Sequence, residues 1–215
     1  MHITKLGHCC LTIEVNGLRI LTDPGMWTIA EHSAVKNIDA ILVTHDHPDH
    51  VHTDSIKIIL QNNPNAKVYA NSGTGTSLTE AGISFETLEG TSKAIVKKDI
   101  ELEAFDCSHE PIYVGIAMPQ NTGYWIGPDL FYPGDSLTHP GKPVNILALP
   151  VAGPWMVIGQ GIDYAKKVKP KKCFPVHDGF LKPEIIELFH GLPQKMLAGE
   201  GIEFVPLKAG ESADF

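Results

Sequence analysis

The first third of the chain alternates quickly between short apolar runs and polar or turn-forming residues, which is typical of β-strands joined by tight turns. The Asn16-Gly17 pair stands between two such runs and favours a hairpin. A near-continuous apolar and β-branched run at residues 38–44 is typical of a strand that is buried on both faces. The pattern predicts strands over residues 2–6, 10–15, 18–22, 38–44 and 67–70 in this part of the chain.

Helices are predicted where apolar residues recur at intervals of three and four. Ile56, Ile59 and Leu60 follow this spacing in a helix that Thr53 or Asp54 can cap. Further helices are predicted over residues 76–81, 154–168 and 183–189. The remaining strands are predicted over residues 100–104, 113–118, 123–126, 130–132, 145–151, 172–176 and 202–207.

Both halves of the chain therefore begin with strands and continue with strand–helix units. This order predicts an α/β fold, a four-layer αββα sandwich of two mixed β-sheets flanked by helices. Because no linker-like stretch divides the 215 residues, we expect a single domain over residues 1–215.

Composition and charge narrow the classes of function. The chain is 43% hydrophobic and 20% charged, as folded proteins are, and its apolar runs are too short to cross a bilayer. The N-terminus does not resemble a signal peptide, so we expect a cytoplasmic location and no membrane partner. The net charge is −8 and Arg19 is the only arginine, which disfavours nucleic acid as a partner. The oligomeric state is not predicted.

The unusual feature is histidine, with 11 residues, several of which cluster between positions 45 and 52. The segment from Thr44 to His50 reads His-x-His-x-Asp-His and follows the predicted buried strand. His45 and His47 are two residues apart, so in an extended segment their rings project to one side. Imidazole and carboxylate groups together suit Zn²⁺ and other first-row metals. A solvated histidine-rich loop is the alternative, and the position at a strand end argues against it.

Four other segments complete a longer pattern. They read Leu21-Thr22-Asp23-Pro24, Cys107-Ser108-His109, Tyr132-Pro133-Gly134-Asp135-Ser136 and Pro175-Val176-His177-Asp178-Gly179. Each would be an ordinary turn or strand end by itself. In this order, and with the histidine motif, they resemble the metallo-β-lactamase fold superfamily of metal-dependent hydrolases. The opening Leu6-Gly7-His8 resembles the small branch that includes ascorbate-6-phosphate lactonase-like proteins.

The resemblance implies two metal sites that share one carboxylate, Asp135. The implied ligands are His45, His47 and His109 for the first ion, and Asp49, His50 and His177 for the second. The expected cofactors are two divalent ions, with zinc favoured and manganese, iron or nickel as alternatives. Two such ions about 3.5–4 Å apart lower the pKa of a hydroxide that they share.

Further residues are candidates around this centre. Asp23 is expected to orient a metal-bound histidine, with a plain Asp-Pro-Gly turn as the alternative. His8 is a candidate proton donor or substrate contact, and Asp49 is a candidate catalytic group that orients the hydroxide. Trp27 and His139 are candidate substrate-binding residues, with a core side chain and a polar surface loop as the respective alternatives.

The predicted function is hydrolysis of a small ester, lactone or phosphodiester by a hydroxide that two metal ions activate. Two ions together with two ligand carboxylates leave the site positive, which favours a small-molecule substrate that is anionic or has a polarised carbonyl group. The alternative is a non-catalytic metal-binding scaffold that binds a small ligand without turnover.

Overall fold

The computed structural model describes residues 1–97 and 100–215, which form two β-sheets of seven strands each. The first sheet contains β1 (His2–Gly7), β2 (Cys10–Val15), β3 (Leu18–Thr22), β4 (Ala40–Val43), β5 (Lys67–Ala70), β6 (Glu86–Thr87) and β14 (Ser212–Asp214). The second sheet contains β7 (Lys93–Lys97), β8 (Ile100–Asp106), β9 (Thr122–Ile126), β10 (Leu130–Tyr132), β11 (Ile146–Pro150), β12 (Lys172–Val176) and β13 (Glu203–Phe204).

Five α-helices connect strands of these sheets in the part of the chain that the structure describes. They are α1 (Ile29–His32), α2 (Thr53–Asn62), α3 (Ser72–Glu80), α4 (Ile158–Val168) and α5 (Pro183–Ala198), and a 3-10 turn, Met26–Thr28, precedes α1. None of these helices has both the length and the apolar character that a membrane span requires.

The two sheets have the same pattern of antiparallel and parallel strand pairing. In the first sheet β14, β1, β2 and β3 pair antiparallel, and β3, β4, β5 and β6 pair parallel. In the second sheet β7 to β10 pair antiparallel and β10 to β13 pair parallel. Each half of the chain is therefore a meander that continues into strand–helix units, as the sequence predicts. The predicted hairpin at Asn16-Gly17 joins β2 to β3 and pairs Val15 with Leu18.

Three clusters of buried apolar side chains fill the spaces between the layers. The first joins the two sheets and includes Ile20 and Phe174. The second joins the second sheet to α4 and α5 around Leu147, and the third joins the first sheet to α2 and α3 around Ile41. Since each sheet buries both faces, the predicted four-layer αββα sandwich is confirmed.

Several element bounds differ from the prediction. Residues 113–118 form a loop rather than a strand, with Tyr113 71% and Val114 92% exposed, because no described strand pairs with them. The fourth helix begins at Ile158 rather than 154, since the preceding residues form a turn in which the N–H of Met156 bonds the carbonyl of Gly153. The predicted strand at 202–207 is reduced to β13.

Other differences concern helix ends. The N-cap of α2 is His52, whose ring Nδ1 accepts from the N–H of Ser55, rather than Thr53 or Asp54. The fifth helix continues to Ala198, past the predicted end at residue 189. His190, Pro193 and Leu197 are buried in this added part, and Leu197 packs in the cluster around Leu147. Tertiary packing of the apolar face thus extends this helix beyond its local signals.

The strand directions position the candidate residues. Two antiparallel pairings make β1 run parallel to β3 and β4, and two more make β8 run parallel to β10, β11 and β12. The carboxyl ends of parallel strands meet at one edge of a sheet, where ligands usually bind in α/β folds.

Candidate metal centre

The candidate residues come from loops that follow strands of this common direction. In the first sheet His8 follows β1, Asp23 follows β3 and residues 44–50 follow β4. In the second sheet His109, Asp135 and His177 come after β8, β10 and β12. Residues that are far apart in the chain therefore meet at one edge of the sandwich.

One group of side chains has the composition of the predicted first site. His45, His47, His109 and Asp135 offer ligand atoms that all lie within 4.8 Å of one another. His45 Nε2 is 3.1 Å from His47 Nδ1, and His109 Nε2 is 3.4 Å from Asp135 Oδ2. Ligands of a tetrahedral ion at about 2.0–2.1 Å lie roughly 3.3 Å apart, so these spacings suit one ion.

A second group adjoins the other side of Asp135. His50 Nε2 lies 3.2 Å from Asp135 Oδ1, and His177 Nε2 lies 3.0 Å from Asp135 Oδ2. Asp49 Oδ2 is 3.8 Å from His50 Nε2 and 3.7 Å from His177 Nε2. Asp135 thus stands between both groups, where a carboxylate that bridges two ions would have to be.

Asp23 is at the centre of the hydrogen bonds that orient two of these rings. Its Oδ2 accepts from His50 Nδ1 at 2.8 Å, from Tyr132 at 2.6 Å and from the Thr44 hydroxyl at 2.8 Å. The Thr44 hydroxyl in turn lies 3.0 Å from His45 Nδ1. With Nδ1 as donor, each ring keeps a lone pair on Nε2, which faces the centre. Tyr132 was missed in the sequence, although it directly precedes the Pro-Gly-Asp turn.

Backbone carbonyls orient two more rings. His177 Nδ1 donates to the carbonyl of Ala152 at 2.8 Å, and His109 Nδ1 donates to the carbonyl of Glu110 at 2.6 Å. These bonds also leave the Nε2 lone pairs free to bind a cation.

Several buried polar atoms of the centre have no hydrogen-bond partner among the described residues. They are Nε2 of His50, His109 and His177, and Oδ1 of Asp135. Burying such groups unpaired is costly, and acceptor atoms that face one another repel. Divalent cations between them would satisfy these lone pairs, so the residues fit a metal centre.

Protonation states agree with this interpretation. Burial, reinforced by the neighbouring ring of His50, lowers the pKa of His45 well below its ordinary value. Burial opposes the charge of Asp135, but the rings of His177, His50 and His45 outweigh it and hold its pKa well below the usual range. Burial also opposes a charge on His50, but the Asp135 and Asp23 carboxylates raise its pKa, so this ring binds either a proton or a cation.

His8 contacts Asp49 rather than pointing into open solvent. Its Nε2 lies 3.2 Å from Asp49 Oδ2, and its Nδ1 accepts from the N–H of Gly179 at 3.1 Å. Because Nδ1 is an acceptor, the ring proton is on Nε2 and is donated to Asp49. Burial lowers the pKa of His8 to about 4, so the ring is neutral near pH 7. This geometry allows His8 to orient Asp49, and its role as a proton donor stays a prediction.

Besides Tyr132, two more residues of the centre were missed in the sequence. Trp155 Nε1 donates to Asp135 Oδ2 at 2.8 Å. Its position after β11, the strand between β10 and β12, could have identified Trp155 as a residue at the same edge of the sheet. The Cys9 thiol lies within 4.8 Å of the ligand atoms of His50 and His177, and burial raises its pKa well above the ordinary value.

A cavity of about 330 Å³ opens onto this centre. Trp27 lines it, as expected of a substrate-binding residue, together with several ligands of the centre. His139 is exposed, accepts at Nδ1 from the N–H of Gly141 at 3.0 Å and does not line this cavity. A wider depression of about 750 Å³ lies at the opposite edge of the first sheet, beside the Asn16-Gly17 turn, and contains none of the candidate residues.

Comparisons with known proteins agree with this geometry. Residues 2–177 match the model of the β-lactamase superfamily domain family. The chain is 32% identical over 196 residues to protein Rv0786c of Mycobacterium tuberculosis, covering 89% of this chain and 90% of that protein. It is 26% identical over 233 residues to a UPF0173 metal-dependent hydrolase of Pyrococcus furiosus, covering 99% and 98%. The structure of a metallo hydrolase from the archaeon Ignicoccus hospitalis has the same fold, with a TM-score of 0.74, 19% identity and coverage of 100% and 98%. The chain therefore belongs to the metallo-β-lactamase fold superfamily of metal-dependent hydrolases.

Proposed function

We propose that this protein is a binuclear metal-dependent hydrolase that cleaves a small ester, lactone or phosphodiester. The observation that supports this proposal most directly is the convergence of ligand side chains on Asp135 with buried, unpartnered Nε2 lone pairs. The cavity that opens onto these ligands gives a substrate access to them. A scaffold that only bound metal would need the ligands but not the access.

Each ion has a proposed set of protein ligands. They are His45, His47, His109 and Asp135 for the first, and Asp49, His50, His177 and Asp135 for the second. Bound divalent ions would supply an activated water and would polarise the electrophile. We favour zinc because imidazole and carboxylate suit its tetrahedral geometry, and manganese, iron and nickel accept the same donors.

The chain's own residues hold these groups in place before a substrate arrives. His8 donates from Nε2 to Asp49, whose pKa falls to about 2 because this bond and the nearby imidazoles outweigh the cost of burial. Trp155 donates to Asp135 and Asp23 accepts from His50. Such bonds keep ligands near their working geometry and lower the cost of reorganisation.

The test is metal analysis joined to a substrate panel. Protein stripped with a chelator and reloaded with zinc, manganese, iron or nickel should bind about two ions per chain. It should then hydrolyse at least one of a chromogenic ester, lactone or phosphodiester. Asp135→Ala should lose nearly all activity, whereas His2→Ala, a change at a surface ring paired with Asp214, should keep it.

The possible outcomes separate the alternatives. Two bound ions without hydrolysis of any substrate class would favour the non-catalytic metal-binding scaffold. No more than one tightly bound ion would contradict the binuclear centre.

A further inference from the structure

Large apolar side chains surround the entrance to the metal centre. Met26 is 48% exposed, Trp27 43%, Phe180 47% and Ile112 38%. These four side chains line the cavity together with Trp155. The carboxylate and imidazole groups that line the cavity all belong to residues of the metal centre. Exposed apolar side chains grouped around a few convergent polar groups are typical of a ligand site.

The two aromatic rings beside the centre are in contact with each other and with its histidines. Trp27 and Phe180 meet edge-on with 4.6 Å between ring centroids. Phe180 stacks on His177 at 5.4 Å, and Trp27 lies 4.6 Å from the ring of His8. A substrate group that rests on these rings would therefore lie next to the reacting atoms.

The backbone that carries Trp27 is tied to the loop of metal ligands. The N–H of Met26 donates to the carbonyl of Pro48 at 2.7 Å. Gly25 approaches the same loop so closely that a Cβ would lie 1.9 Å from the carbonyl oxygen of Asp49. Met26, Trp27, Ile112 and Phe180 form an apolar wall beside the centre. These contacts preform the part of the wall that carries Met26 and Trp27, which lowers the entropic cost of binding.

No lysine or arginine lines this cavity in the part of the chain that the structure describes. Phosphate and carboxylate groups are usually bound by guanidinium, ammonium or grouped N–H donors. Lys142, which follows the candidate residue His139 by three positions, does not line the cavity. It pairs with Glu103 at 2.7 Å and lies 4.3 Å from the ring centroid of Trp125. An anionic substituent remote from the scissile bond would have no cationic side chain to pair with in this cavity.

We infer, on the basis of the proposed hydrolase function, that the substrate carries an uncharged aromatic or branched alkyl group beside the scissile bond. For a carboxylic ester, hydrolysis consumes one water, breaks the acyl C–O bond and yields an alcohol, a carboxylate and one proton. A lactone opens in the same way to a single hydroxycarboxylate and one proton. Such a substrate differs from the anionic substrate that the net positive charge of two ions and two ligand carboxylates favours.

Three hydroxamates test the inference, since they share one metal-binding group and differ in the substituent. They are acetohydroxamate, phenylacetohydroxamate and phosphonoacetohydroxamate, titrated by calorimetry into the metal-loaded protein. Phenylacetohydroxamate should bind at least about tenfold more tightly than acetohydroxamate, because its ring becomes buried on the apolar wall. Phosphonoacetohydroxamate should bind no more tightly than acetohydroxamate. Tightest binding of the phosphono compound, or equal binding or no binding of all three, would overturn the inference.

Variants of the wall locate the effect. Trp27→Ala and Phe180→Ala should each reduce the phenyl-to-methyl affinity ratio to within about threefold of one. Ile95→Ala is the control, because Ile95 is 68% exposed on β7 and does not line the cavity. An unchanged ratio in both wall variants would overturn the inference.

Hydroxamate binding tests the apolar substrate site, and substrate turnover tests the proposed hydrolase function, so the two proposals can fail independently. A phenyl preference in a loaded protein that hydrolyses nothing would refute the proposed hydrolase and leave the apolar site standing. Hydrolysis without a phenyl preference would support the proposed hydrolase and refute the apolar substrate site.

Discussion

The ammonium group of Lys5 is buried against the carboxylate of Asp178, the residue that follows the candidate ligand His177. Lys5 Nζ donates to Asp178 Oδ2 at 2.5 Å and to the carbonyl of Pro175 at 2.9 Å, and His190 Nε2 lies 3.0 Å from the same carboxylate oxygen. His177 itself has a φ of 63°, a left-handed conformation that is unusual for a non-glycine residue. The ion pair therefore joins β1 to the turn that carries the candidate ligand His177.

Lys5→Met should destabilise the protein strongly. The side chain of Lys5 is fully buried and that of Asp178 is 7% exposed, so the change leaves a buried carboxylate with one fewer partner. Removing one member of a buried ion pair typically costs about 3–5 kcal/mol in the free energy of unfolding, which urea denaturation measures. Lys67→Met removes an exposed partner of Glu86 and is the control, with a loss below about 1 kcal/mol. Equal losses in the two variants would contradict a structural role for the buried pair.

Metal stoichiometry should fall by one ion in each of two single variants. His109→Ala removes a ligand of the first group, and His177→Ala removes a ligand of the second. Elemental analysis after gel filtration should give about one ion per chain in each variant and about two in the wild-type protein. Retention of two tightly bound ions in either variant would show that the ligand has been misassigned.

His8→Ala should slow hydrolysis by about 10–100-fold, as the loss of a residue that orients a metal ligand usually does. Because His8 donates to Asp49, esters with basic and with acidic leaving groups should be slowed by the same factor. The measurement is kcat/KM for a 4-nitrophenyl ester and an alkyl ester of one acid. Selective slowing of the alkyl ester would instead support the proton donor that the sequence suggested.

Trp155→Phe should weaken metal binding by about 10–100-fold while keeping most of the side-chain volume. The change removes the N–H that donates to Asp135 Oδ2 at 2.8 Å. Competition with a chromogenic chelator measures the affinity. Trp125→Phe is the matched control, because Nε1 of Trp125 has no hydrogen-bond partner among the described residues. If both variants bind metal alike, the bond from Trp155 does not tune the centre.

Removal of the metal should lower Tm. A ligand that binds only the folded state stabilises it by about 2.7 kcal/mol at a hundred times its Kd. For a chain of this size that corresponds to a shift of about 5–10 °C in a thermal melt with and without chelator. Asp135→Ala should show a much smaller shift, and a full shift in that variant would place the stabilising ion elsewhere.

Local sequence patterns predicted much of the fold. The bounds of β2, β3, β5, β10 and β12 agree with the apolar runs, because strands buried in a sandwich need unbroken or alternating apolar residues. The loop at 113–118 shows the limit of this reasoning. Its apolar residues have the composition of a strand, but a strand requires a neighbour to bond with, and no local pattern supplies one.

The sequence by itself indicated a metal site, because the His-x-His-x-Asp-His spacing places imidazole and carboxylate groups in one loop. The more distant candidate ligands His109, Asp135 and His177 were implied by the resemblance of their segments to the superfamily. Only the tertiary structure decided which residues orient those ligands and which line the cavity. Trp155 meets Asp135 because the loops after the neighbouring strands β11 and β10 reach the same edge of the second sheet. Lys5 meets Asp178 because β1 of the first sheet packs against β12 of the second, the strand that precedes Asp178. Contacts between such distant residues depend on strand order and sheet packing, which the spacing of residues along the chain does not record.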